Sequence, residues 1–238
     1  MPDWEIHLSR AVLKAHESWV ENGRSGPGRL ELRDLDLRGA RCGGVLEGCQ
    51  LNGCDLTEAA LELASLRECH LENCIFDRAS LRGCDLEGAQ LLGCSFQQAN
   101  LRMIDPMGTR VRACNFRQAG LDRSSWNLSH VEDCNFSSAC LRDAVWDGAH
   151  FTGCDFRGAD LTWSQGPPLG TATLTTFVRC DFRGADFSNL RLKDSTFQSC
   201  AFHASKGRPT LEGPCRFVDC DFSPGFDGSD LRSTTPWP

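Results

Sequence analysis

A beat of five residues governs this chain. From Leu46 to Leu161 every fifth residue is apolar, through Leu51, Leu56, Leu61, Leu66, Leu71 and Phe76 to Phe156, with one exception at Pro106. The residue two places earlier is nearly always Cys, Ala or Ser. Neither an α-helix at 3.6 residues per turn nor a strand alternating at 2.0 produces that period. A short fixed repeat instead predicts a solenoid, in which the large residue fills the axis and the small one lets the wall turn. A charge at either position would be buried without a partner.

A second period of twenty sorts the side chains into uniform columns. Cys54, Cys74, Cys94, Cys114, Cys134 and Cys154 form one, and Ala59, Ala79, Ala99, Ala119, Ala139 and Ala159 form another. Four pentapeptides therefore make one coil. The central positions give a ladder of Phe76, Phe96, Phe116, Phe136 and Phe156. Past Leu161 the beat slips by one residue, and counting on through that slip extends the ladder to Phe177, Phe197 and Phe217. The neighbouring column, Leu61 to Leu161, continues on the same count to Phe182, Phe202 and Phe222. Coils stacked at the strand spacing of about 4.8 Å predict a single rod roughly 45 Å long.

The chain has 238 residues, 15 of them cysteine, and a formal charge of −7. Thirteen cysteines occupy the small slot before an apolar centre, where Cys alternates with Ala, Ser and Thr as a small buried hydrophobe would. Cys42 and Cys140 fall elsewhere. Parallel side chains in a ladder hold their Cβ atoms near the coil spacing rather than the ~3.8 Å that a bridge needs, so free thiols are expected. No stretch approaches the ~20 apolar residues of a membrane span, and charges run through the first seventeen residues. These features lead us to expect a cytoplasmic protein that does not enter a membrane.

Solenoid ends need covers. Asp3 is placed to cap a helix in which Trp4, Leu8, Ala11, Val12, Ala15 and Trp19 share a face, and residues 1–23 are expected as a capping α-helix. Repeats fill 30–222, and 223–238 form a tail without helical pattern. The Phe222, Phe226 and Trp237 end is a candidate surface for pairing two copies. The beat falters at three places. Pro106 and Met107 imply a local bulge; the run from Ser164 to Thr175, with Gln165, Pro167, Pro168 and Leu169, reads as a protruding loop; and Lys206 and Arg208 stand where wall is expected. Loops on a rigid scaffold commonly carry function, which makes these three segments candidate partner-binding elements.

The pattern, with CDFRGAD at 154–160 and again at 180–186 and CDLEGA at 84–89, resembles the pentapeptide repeat family. The resemblance implies an all-β solenoid, a right-handed quadrilateral β-helix of about nine to ten coils, with the N-terminal helix as its cap. It also implies a possible partner, since several bacterial members bind type II topoisomerases as acidic mimics of duplex DNA and protect them from poisons. DNA gyrase or topoisomerase IV is the partner so implied. A 45 Å duplex carries about 26 phosphate charges, so mimicry with a net −7 requires the acids to gather on one face. Topoisomerase-protecting members typically dimerise through a C-terminal helix, which this tail does not suggest.

No catalytic motif stands out: there is no phosphate-binding GxxxxGK[ST], no HExxH and no GxSxG. No cofactor, metal or direct nucleic-acid binding is expected. His70, Arg110, His130 and His150 share an outward column, but no acidic or thiol ligand joins them, and solvent-facing side chains are the favoured reading. The expected activity is therefore non-enzymatic: protection of a topoisomerase, or, as the alternative, a scaffold for an unrelated protein partner.

Overall fold

A computed structural model describes residues 8–162, 172–207 and 209–222. The chain winds into a parallel solenoid of about nine turns. One side is a ten-stranded parallel sheet running from Glu31–Arg33 through Gln50–Asn52, His70–Glu72, Gln90–Leu92, Arg110–Arg112, His130–Glu132 and His150–Thr152. It continues through Thr176–Val178, Thr196–Gln198 and Arg216–Val218. Two further sides are held by single bridges, and the fourth becomes a short sheet of Ala172–Thr173, Arg191–Lys193 and Thr210–Glu212.

Each pentapeptide closes with the residue two beyond its centre in the left-handed region, as in Glu58, Leu63, Glu68, Asn73 and Arg78 with φ between 52° and 60°. That kink every five residues turns the wall, and it is why Gly recurs there, at Gly83, Gly88 and Gly93, without strain. Backbone groups pair between coils, as where Phe76 N–H donates to the Ser95 carbonyl at 2.6 Å and Ile75 N–H to the Cys54 carbonyl at 2.9 Å. The interior from Leu30 to Cys215 is apolar apart from a few buried hydroxyls such as Thr109, Ser124 and Ser129 in the small slot.

The aromatic ladder differs from the sequence count beyond Leu161. Phe76, Phe96, Phe116, Phe136 and Phe156 stack with ring centroids 4.8–5.0 Å apart. The next rung is Phe182 at 5.0 Å, then Phe202 and Phe222. Phe177, Phe197 and Phe217 instead continue the column of Phe151, with Phe151 and Phe177 stacked at 5.1 Å. Asp155 pairs with Asp181, so this coil takes 26 residues rather than twenty. The excess is one pentapeptide plus one residue, and a five-residue phase reads only the remainder. The slip that looks like one residue is an insertion of six.

Pro106 makes no bulge. It is buried in the wall, with Gly108 N–H bonded to the Asn127 carbonyl in the usual register. What it changes is one backbone bond. Asp85 bridges Asp105 and Ser125 bridges Val145, but the bridge between Asp105 and Ser125 is missing, because proline offers no N–H. The Thr109 and Ser129 hydroxyls, in the small slot, both donate to the Pro106 carbonyl at 2.7 Å. Lys206 likewise lies in the wall, bridged to Asp186.

Helix α1 spans Arg10–Glu21, with Ser9 as its N-cap; Asp3 and Trp4 lie outside the described residues. Its buried residues are His16 and Trp19, with Leu13 packed on the core, whereas Ala11, Val12 and Ala15 face outward. In this orientation His16 Nδ1 accepts the Leu30 N–H at 3.0 Å, where the chain leading into the first strand would otherwise present a free donor. Gly28, at φ +115°, permits the approach, since a Cβ there would lie 2.6 Å from the Ala15 carbonyl oxygen.

Candidate binding faces

The residues richest in potential chemistry are turned inward. Cys54, Cys74, Cys94, Cys114, Cys134, Cys154, Cys180 and Cys200 form a buried column that ends at half-buried Cys220. All fifteen cysteines are free. Burial pushes the Cys84 thiol up to about 12 and the Cys42 thiol up to about 11, far from the thiolate that nucleophilic or redox chemistry requires. Cys42, which falls outside the small slot, is itself a central residue: its N–H bonds the Ala60 carbonyl as Leu61 does that of Ser80. The Cys49 and Cys69 sulfurs lie 3.0 Å apart.

The outward side chains carry charges of both signs on every side. Arg142 lies 3.0 Å from Asp122 and 3.6 Å from Asp160 on neighbouring coils. Arg157 bridges Asp155 at 2.6 Å and Asp181 at 3.8 Å. Arg67 pairs with Asp85 at 3.1 Å and also with Glu87, and Arg24 joins Glu47 and Glu68 beside the helix. The Arg38 guanidinium holds the Asp36 carboxyl at about 2. The acids therefore do not gather into one continuous negative face; arginines on the same or adjacent coils interrupt each acidic column.

On the ten-stranded side the outward residues form two parallel rows with a trough between them. One row runs Gln90, Arg110, His130 and His150 and the other Leu92, Arg112, Glu132 and Thr152, each in register with the next. The trough holds about 410 Å³. The His130 and His150 rings stack at 5.1 Å with 16° between planes. Arg112 lies 3.5 Å from Glu132. His70 is one coil beyond the trough's end, paired with Gln90. No group of three or more His, Cys, Asp or Glu among the described residues is placed to hold a metal ion.

The faltering segments are dispersed. Pro106 is buried and Met107 half-buried in the wall on one side, and Lys206 is exposed on another. Gln165, Pro167, Pro168, Leu169 and Arg208 lie outside the described residues, as do Phe226 and Trp237. Phe222 is half-buried and stacks on Phe202 at 5.1 Å as the last rung. The trough, by contrast, had only its histidine column to announce it: successive members of each row are twenty residues apart in sequence, and the register brings them together.

The Pentapeptide repeats family matches in 8 copies over residues 31–73, 45–83, 64–102, 132–164 and 175–205, and the chain belongs to that family. Solved structures with the same repeat include HetL, a pentapeptide repeat protein involved in heterocyst differentiation regulation from Nostoc sp. strain PCC 7120. It is 20% identical over 88% of this chain and 92% of that one, with a TM-score of 0.41. Full-length QnrB1, a plasmid-mediated fluoroquinolone resistance protein, is 17% identical over 85% and 98%, with a TM-score of 0.33. No curated protein matches the chain significantly. No helix among the described residues is long and apolar enough to cross a membrane.

Proposed function

We propose that this chain acts without catalysis, as a rigid rod that binds another protein through its outward side chains. The carrying observation is the division of labour in the coil: every thiol column and aromatic ladder is consumed by packing, and the variable chemistry sits in rows on the outside. A solenoid of this kind offers a long, pre-ordered surface, which lowers the ordering penalty of association.

The specific partner that the family resemblance suggests is DNA gyrase or topoisomerase IV in the cytoplasm, protected from a topoisomerase poison. Rod length and net negative charge support it; nine coil spacings give about 43 Å. The interleaved arginines weigh against imitation of a phosphate ladder, so contact with such an enzyme would run through particular side chains rather than a uniform field. A supercoiling assay with purified gyrase and a quinolone tests this directly. Rescue or inhibition at micromolar protein is the expected result, and neither effect would leave an unrelated protein partner as the reading. Pairing of two copies at the Phe222 end is tested by light scattering, where a monomer mass would overturn it.

A further inference from the structure

We propose that the trough on the ten-stranded side binds an extended, acidic segment of the partner protein, laid along the rod axis. The inference rests on the protein-binding reading above and adds a location and a chemistry to it.

Residues two apart on one strand project about 6.6 Å apart, so the two rows leave a channel about as wide as an extended chain. From the Gln90–Leu92 strand to the His150–Thr152 strand are three coil spacings, about 14 Å, which an extended peptide spans with four or five residues. Within a chain of net charge −7, this is a locally cationic strip. Arg110 makes no ion pair with any described residue, so its charge is available to a partner. Arg112 is shared with Glu132, the single carboxylate lining the trough. Leu92, exposed at 44%, supplies an apolar contact at one end.

The titratable and charged groups facing this strip are Arg110, Arg112, His130, Glu132 and His150, with His70 and Glu72 one coil beyond. A carboxylate laid along the strip meets the Arg110 guanidinium and the ring edges of the stacked His130 and His150, which offer N–H donors to it. A basic or neutral segment would gain nothing from the same geometry.

The test uses the full chain and a fluorescein-labelled hexapeptide of alternating Asp and Leu, with a Lys and Leu counterpart, followed by anisotropy. The acidic peptide binds and the basic one does not. Arg110→Glu lowers the affinity at least tenfold, and a His130→Ala, His150→Ala double variant also weakens it. Circular dichroism of these outward variants shows the fold intact. Absence of acidic-peptide binding, or binding indifferent to Arg110→Glu, overturns the proposal. Full competition by millimolar inorganic phosphate also overturns it, in favour of a small-anion site. If the peptide fails while gyrase or another protein is still bound by the rod, the trough is wrong and the rod reading stands.

Discussion

Trp126 and Trp146 occupy the same position one coil apart and differ by one hydrogen bond. The indole Nε1–H of Trp126 donates to the Ser124 hydroxyl at 2.8 Å, whereas that of Trp146, equally buried, has no partner among the described residues. The residue equivalent to Ser124 is Ala144, and its N–H bonds the Leu141 carbonyl just as Ser124 bonds that of Leu121. Ala144→Ser should therefore satisfy both the new hydroxyl and the stranded indole, raising stability by about 1 kcal/mol. Chemical denaturation of the two proteins checks this; a lower midpoint for the variant would show that the slot has no room for the oxygen.

The central ladder sets the opposite extreme. Phe136 is fully buried between Phe116 and Phe156. Phe136→Asp should prevent folding, since an unpaired carboxylate cannot be solvated on the axis. Phe136→Leu should fold with a loss of about 1–2 kcal/mol. Loss of the sheet circular-dichroism signal in the first variant and its retention in the second is the expected pair of results.

Docking of helix α1 should depend on pH. Burial pushes the His16 pKa below its ordinary value, and its Nδ1 must stay unprotonated to accept the Leu30 N–H. An undocked or unfolded His16 titrates near about 6.5, so the undocked state takes up the proton first. The stabilisation is complete above that pH and is lost as pH falls below it. Amide exchange of Leu30 and residues 10–21, corrected for intrinsic rate, should accelerate between pH 7.5 and 5, and His16→Gln should flatten the response.

Thiol reactivity should follow exposure rather than number. Cys140, half-buried on the wall against Asp122 and Arg142, and Cys220 at the last rung are the least enclosed. A thiol reagent should label these two first in the native protein and all fifteen in denaturant, read by mass spectrometry. Early labelling of Cys94 or Cys114 would contradict the closed column.

Much of this molecule is legible in its spacing because each coil rests on the one before it, so a local rule repeats as a global one. The period of five, the twenty-residue coil, the ladder from Phe76 to Phe156 and the burial of most cysteines all follow from which side chains tolerate an axis without water. Four features needed the tertiary structure. The insertion after Leu161 is six residues rather than one, because phase measures length only modulo the repeat, and this moves Phe177 onto the Phe151 column. The face that α1 buries brings His16 to the Leu30 N–H, a contact no helical periodicity reveals. Pro106 keeps its place in the wall because it forfeits a single inter-coil N–H while Gly108 and Thr109 hold the usual register around it. The trough exists because register places Arg110, His130 and His150 beside Leu92, Arg112 and Glu132, so the beat of five fixes the rod while inter-coil alignment alone determines what its surface presents.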